Sequence, residues 1–230
     1  MDSSRCWFGM ADAQILLAER AALAQGAAEL AIEMNEAQQS ALLRLIDALE
    51  AGNAQFNLTA IRDRPGMLRK HLLDSLSLQS YLRGKRIADI GTGAGFPGLP
   101  LAIMNPSRHF ALVEATAKKA RYVAETAALI GVRNVEIVNQ RAESYRPQEP
   151  FDTVIARALS SLEAFIAFAG HLCAADGRLL AMKGRRNEEE IAALPRGFRV
   201  LAVHRLRVPG LTDERHLIEI VRARTSGGGR

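Results

Sequence analysis

Residues 85–183 alternate short apolar runs with stretches of helical spacing, and this alternation constrains the fold more than any other feature. The runs are "RIADI" (86–90), "HFALVEA" (109–115), "VEIVNQ" (135–140), "FDTVIARA" (151–158) and "GRLLAMKG" (177–184). Between them lie helical patterns beginning at "LPLAIM" (99–104), over 117–130 and over 161–173. Strands separated by helix-length crossovers become parallel neighbours, because only a long connection returns the chain to the same end of a sheet. After Lys183 come a short acidic helix (187–194) and two more strand patterns, "FRVLAVHRL" (198–206) and "RHLIEIVRA" (215–223). About ten residues containing Pro209-Gly210 separate these two, too few for a helical crossover, so they are expected to pair antiparallel. The expectation is an α/β fold: a mostly parallel seven-stranded sheet with helices on both faces.

Ahead of the sheet, residues 11–51 are rich in Ala, Leu, Glu and Gln and read as helical, with a break near Met34-Asn35. Leu42, Leu45, Ile46 and Leu49 repeat at helical spacing, and Gly52-Asn53 is read as the stop. The organisation expected is a helical extension over 1–60, a catalytic domain over 61–222 and a disordered tail over 223–230.

Charge divides along the same line. Residues 1–60 carry three basic and eight acidic side chains, net −5, whereas the remaining 170 carry 27 basic and 17 acidic, net +10. A basic body suits a polyanionic partner such as nucleic acid. Aromatic residues are only 5% of the chain, so a run of base-stacking platforms is not visible, and charge and shape should dominate contact with such a partner. The apolar stretches fall short of the ~20 residues a bilayer span needs. Two cysteines, Cys6 and Cys173, make neither a disulfide framework nor a metal knuckle. The chain reads as a cytoplasmic monomer without a metal site or a membrane segment.

The loop "GTGAGFPG" (91–98) follows the first strand, where open parallel sheets bind ligands. Gly91, Gly93 and Gly95 permit positive φ and close backbone approach, and the next helix offers free N–H groups. Gly93 to Gly98 also satisfies G-x-G-x-x-G, which keeps a nicotinamide or flavin dinucleotide open. Pro97 removes an N–H that a pyrophosphate would use, and Asp89 places a carboxylate nearby. The same carboxylate suits a cationic ligand with an amino group, such as S-adenosylmethionine. Glu114, ending the second strand, is positioned for ribose hydroxyls, and Ala142-Glu143, after the third, for the edge of an adenine.

Taken together, the residues resemble the ribosomal RNA small subunit methyltransferase G family, also called glucose-inhibited division protein B. The matching stretches are "NLTAIRD" (57–63), "KHLLDSL" (70–76), "IADIGTGAGFPGLPLAI" (87–103), "KKARYV" (118–123), "QRAES" (140–144), "FDTVIARALSSL" (151–162), "LLAMKG" (179–184) and "ERHLIEI" (214–220). The resemblance implies a Rossmann-like class I methyltransferase that uses S-adenosylmethionine to methylate N7 of one guanine in bacterial 16S ribosomal RNA, free or in the small-subunit particle. It implies cofactor contacts from Gly91, Phe96, Ala142, Glu143 and Arg157; Asp89, Gly93 and Glu114 are added from the loop and strand-end reasoning. Candidates for RNA contact are Lys70, His71, Lys183, Arg185 and Arg215, with burial as a satisfied core group the stronger expectation for His71. The chain departs from the family where Gly52 stands for a usual tryptophan, Lys70 for an arginine and Ala156 for a serine.

Guanine N7 is an unprotonated lone pair, so its methylation needs no general base. The cysteine nucleophile of pyrimidine-carbon methylation is absent if Cys173 is core, as its expected place in an apolar helix suggests, and no Pro-Pro turn of amine methylation occurs. Two other readings stay open at this stage: a small-molecule methyltransferase, and a ribosome-assembly factor with a vestigial cofactor loop.

Overall fold

The computed structural model describes residues 3–223; the tail over 224–230 lies outside them. The chain enters through α1 (Ser3–Glu29) and α2 (Glu36–Phe56). Asn35 starts α2 by a reciprocal pair: its side chain accepts from the Gln38 N–H at 2.8 Å, and its own N–H donates to the Gln38 side chain at 3.0 Å. The stripe of Leu42, Leu45, Ile46 and Leu49 is buried, as its spacing requires. The stop differs from the sequence expectation. Gly52 and Asn53 lie inside α2, and the chain turns at Asn57, whose left-handed φ of 49° lets its N–H cap the Asn53 carbonyl. Gly52 is small for a different reason: a Cβ there would come within 2.4 Å of the Tyr122 ring.

A continuous helical run follows over 64–76, opening as α3 (Arg64–Met67), widening to a π-helical turn at Leu68–Leu73 and closing as α4 (Asp74–Leu76). The alternation then unfolds as expected: β1 (Arg86–Ile90), α5 (Gly98–Met104), β2 (His109–Val113), α6 (Ala117–Ile130), β3 (Val135–Val138), β4 (Phe151–Ala156) and α7 (Leu162–Ala169). The chain finishes with β5 (Cys173–Lys183), the acidic α8 (Glu188–Ala192), β6 (Phe198–Arg205) and β7 (His216–Arg222). Cys173 therefore opens a strand and does not sit in a helix, but it is buried as expected.

One seven-stranded sheet has the order β3-β2-β1-β4-β5-β7-β6. Pairs among β1 to β5 are parallel, while β7 runs antiparallel to both β5 and β6. Side chains alternate across the sheet with period two. Ile87, Phe110, Leu112, Ile155 and Leu180 enter one apolar layer with α2, α5 and α6. Ala88, Ile90, Ala111, Val113 and Val154 enter the opposite layer with α7. Helices on both faces leave the carboxyl ends of the strands as the open side of the sheet.

Candidate functional site

The order of β2, β1 and β4 reverses direction of travel at β1, and a crevice opens above their ends. The glycine loop that follows β1 divides into two halves by what each glycine faces. Gly91 and Gly93 have φ of 68° and 62°, so both need the left-handed region. A Cβ on Gly91 would meet nothing within 4 Å, and one on Gly93 only the Gly91 carbonyl at 3.8 Å. These two border open space. Gly95 and Gly98 are jammed from behind: a Cβ would come within 2.5 Å of Leu99 and 2.2 Å of Leu112 respectively. The front of the loop admits a ligand, and the back packs on the sheet.

Two carboxylates hold the loop in place. Asp89 is fully buried; its Oδ2 accepts from the Thr92 hydroxyl at 2.6 Å and the Gly98 N–H at 2.9 Å. Its Oδ1 is buried without a hydrogen-bond partner among the described residues. Burial pushes this carboxyl up to about 6 against the pull of its hydrogen bonds. Asp89, expected from the sequence to face a cationic ligand, lies beneath the loop and braces it. Glu114 is also buried, but at the edge of the crevice. Its Oε2 accepts from the Gly93 N–H at 3.0 Å and its Oε1 from the Thr116 N–H at 2.8 Å. Each oxygen keeps acceptor capacity, since a carboxylate offers about four lone-pair sites.

Four expected residues come together around one cleft of about 180 Å³: Gly91, Glu114, Ala142 and Glu143 all line it. Gln140, Arg141 and Phe168 complete its walls. Phe96 does not line it. That ring is buried behind the loop, its centroid 5.2 Å from that of His71. His71 is itself buried, its Nε2 2.8 Å from the Thr59 hydroxyl and its Nδ1 without a hydrogen-bond partner among the described residues. Burial, reinforced by the charge of Arg157, lowers this imidazole to about 4, so it is neutral at physiological pH. His71 is buried, in keeping with the expectation of a core histidine.

A second cavity of about 550 Å³ is lined by Lys70, Asp74, Arg157, Lys183, Arg215 and His216. It gathers three of the RNA candidates and one cofactor candidate from segments far apart in the chain. Asp74, unread in the sequence, is the group between them. Its side chain is only 4% exposed, with Oδ1 3.2 Å from Arg215 Nε and Oδ2 3.6 Å from Arg157 Nη1. Burial raises its carboxyl while both guanidiniums pull it back. A lone carboxylate inside the apolar run "KHLLDSL" is the signal that could have found it. Arg157 follows β4 and lines this second cavity, and its charge reaches both Asp89 and His71. Its contact with Asp74 is longer than a hydrogen bond, which leaves the guanidinium donors open to a ligand.

Lys183 is neither solvated nor free. Its Nζ lies 2.9 Å from Glu190 Oε1, another unread partner, and it is 14% exposed. Glu190 Oε1 also accepts from the Leu162 N–H at 2.6 Å, tying α8 to the start of α7. Arg185 sits outside the cavity in a neighbouring groove with Ser161, Asn187 and Glu190. A separate, largely apolar groove of about 600 Å³ runs between α1 and the helical run at 64–73, away from the strand ends. Cys173 is buried and its thiol pushed up to about 12, which makes it inert as a nucleophile. Among the described residues no group of His, Cys, Asp and Glu could hold a metal ion, and no helix is long and apolar enough to cross a membrane.

Comparison with known proteins gives a consistent result. The family model described as rRNA small subunit methyltransferase G matches residues 38–218. A protein of that name from Nitrosococcus oceani is 44% identical over 205 residues, covering 89% of this chain and 95% of the relative. Another from Ectopseudomonas mendocina is 45% identical over 203 residues, covering 87% and 95%. Among solved structures, a SAM dependent methyltransferase from Aquifex aeolicus superposes with a TM-score of 0.52 at 17% identity, covering 68% of this chain and 93% of that one. TrmN from Thermus thermophilus gives 0.53 at 20% identity over 74% and 53%. At these identities the two structures speak for the fold alone, a Rossmann-like methyltransferase sheet.

Proposed function

Because the chain belongs to the rRNA small subunit methyltransferase G family, we propose that it transfers a methyl group from S-adenosylmethionine to N7 of a guanine in the 16S RNA of the small ribosomal subunit. The observation that carries this reading is that two unlike spaces open at the ends of neighbouring strands. One is a narrow crevice bordered by Gly91, Glu114, Ala142 and Glu143; the other is a cationic cavity lined by Arg157, which follows Ala156, the partner of Ile90 across the sheet.

The crevice fits the cofactor on chemistry visible in the residues. Open space over Gly91 and Gly93 admits a ligand against the backbone, and the Glu114 carboxylate is fixed at the mouth with acceptor capacity to spare for a ribose diol. Ala142 and Glu143 offer a small apolar edge and a backbone corner for a planar base. When bound, S-adenosylmethionine supplies a methyl group activated by a sulfonium. The chain's own residues orient the reactants. Asp89 acts through the loop it braces, holding Gly91 and Gly93 in the one conformation that keeps the crevice open. Arg157 supplies donors at the seam, where a cofactor carboxylate or an RNA oxygen can accept them.

Guanine N7 carries no proton, so no residue needs to remove one before attack. Alignment of nucleophile and methyl is then the main catalytic device, worth up to ~7–11 kcal/mol. An inert Cys173 agrees with this, because a covalent route through carbon would need a reactive thiol. The cationic cavity favours RNA over a small neutral acceptor.

The decisive experiment incubates the purified protein with methyl-labelled S-adenosylmethionine and small-subunit RNA or particles from cells lacking the enzyme, then digests the RNA to nucleosides. Label in 7-methylguanosine, at about one methyl per 16S RNA, is the expected result. Label in another nucleoside, or none in RNA, overturns the reading.

A further inference from the structure

We propose that Lys70 and Arg215 form a subsite for one phosphodiester of the RNA substrate, with Asp74 fixing the guanidinium from beneath and the Asp213 carboxylate standing in the anion's place until RNA displaces it. This rests on the RNA-methyltransferase reading above and gives it a specific point of contact.

The geometry starts from two cations converging on one oxygen. Asp213 Oδ2 lies 3.7 Å from Lys70 Nζ and 3.8 Å from Arg215 Nη2. Lys70 and Arg215 come from segments 145 positions apart, yet their charged ends are no farther from each other than the sum of those two distances. Like charges gathered this closely on a half-exposed surface repel unless an anion sits between them. Asp213 supplies that anion poorly. Both contacts exceed the ~2.7–2.9 Å of a charge-assisted hydrogen bond, and Asp213 is 54% exposed. An exposed pair of this kind is worth ~0–1 kcal/mol, so a phosphate with more acceptor oxygens replaces it readily.

Arg215 is held for the purpose. Its Nε lies 3.2 Å from the buried Asp74 Oδ1, and its Nη1 donates to the Glu214 carbonyl at 2.9 Å, which leaves Nη2 as the end directed at Asp213. Asp74 thus acts through Arg215 as a positioning residue. Lys70 belongs to the π-helical turn at Leu68–Leu73, and its side chain is 44% exposed, a flexible point charge suited to a phosphate oxygen. Both cations line the cavity that Arg157 also lines, and Arg157 follows the strand next to β1, so a phosphate bound there would lie on the same rim of the sheet as the glycine loop.

The test has opposite signs built into it. Asp213→Asn, Lys70→Ala and Arg215→Ala are compared with wild type for binding an unmodified 16S RNA transcript and small-subunit particles across a salt series. Methylation kinetics and calorimetric titration with S-adenosylmethionine accompany the binding. Asp213→Asn should tighten RNA binding several-fold at low salt and lower the KM for RNA. Lys70→Ala and Arg215→Ala should weaken binding and each make the slope of log K against log salt shallower by about 1. Cofactor affinity should stay unchanged in Asp213→Asn and Lys70→Ala. Weakened or unaltered RNA binding in Asp213→Asn overturns the subsite, as does an unaltered salt slope in Lys70→Ala, a surface variant that leaves Asp74 paired. If wild type methylates RNA while these signs fail, the subsite falls and the enzyme reading stands. Wild type that leaves RNA unmethylated strikes the enzyme reading, and the binding series still decides the subsite.

Discussion

The crevice above β1 and the cavity beside it are built in different ways. The crevice is made of backbone: glycines at positive φ, N–H groups tied to Glu114 and Asp89, and residues from one stretch between Ile90 and Phe168. The cavity is made of charged side chains brought from positions 70, 74, 157, 183 and 215. Backbone sites are rigid because their parts are held by the same hydrogen bonds that hold the fold. Side-chain sites depend on ion partners, and here Lys70, Arg157, Lys183 and Arg215 each have an acid within 4 Å. Cofactor binding should therefore be sensitive to the fold, and RNA binding to charge and salt.

The largest effect should come where the two regions meet. Arg157→Ala should cut methylation by about 10–100-fold, the loss expected of one charged hydrogen-bond donor worth ~1.5–3 kcal/mol. Steady-state kinetics varied in both cofactor and RNA will show which KM moves; no change in either would detach Arg157 from the site. Next, Asp89→Ala should destabilise the protein by roughly 2–4 kcal/mol, because it strands the Thr92 hydroxyl and the Gly98 N–H, and should weaken cofactor binding through the loosened loop. Urea unfolding and calorimetry measure the two losses. Weakened binding at unchanged stability would mean that the carboxylate touches the ligand after all.

The pH dependence sharpens the contrast further. Asp89 is raised from 3.8 to about 6, so the folded state binds its proton more tightly. Its contribution to stability is full below pH 4 and falls as pH rises to about 6. His71 is lowered from 6.5 to about 4, so its contribution is full above 6.5 and falls as pH drops toward 4. Each shift amounts to roughly 3 kcal/mol, and the two oppose one another between pH 4 and 6. Wild-type stability from these groups should be nearly level across that window. Asp89→Asn should rise with pH and His71→Asn should fall, measured as unfolding midpoints at constant ionic strength. Parallel curves for all three proteins would refute both assignments.

The smallest effect belongs to the double substitution Lys183→Ala with Arg185→Ala. Lys183 already spends its charge on Glu190, so RNA affinity should drop only a few-fold, with cofactor affinity unchanged. A loss larger than that of Lys70→Ala would make Lys183 a principal phosphate contact.

These two regions also differ in how much the sequence disclosed. "RIADIGTGAGFPGLP" carries strand, turn and helix signals in one short stretch, and the loop after β1 follows from them. Glu114 and Ala142-Glu143 were legible because strand ends in a parallel sheet share one edge. What composition hid was burial. Asp89 reads as a ligand-facing acid until the side chain is seen turned under the loop. Gly52 reads as a helix stop until Tyr122 is seen pressed against it. The ion partners Asp74, Asp213 and Glu190 were missed because pairing across long sequence separations leaves no local pattern.

The reversal of β7 has a geometric consequence of its own. A strand of seven residues spans about 20–24 Å, and had this one run with its neighbours, its first residue would have fallen at the opposite rim. Because it runs the other way, His216 pairs beside Lys183, and Arg215 emerges where the parallel strands end. A single change of heading lets the last strand of the polypeptide deliver a cation to a chamber whose other walls come from positions 61 to 206.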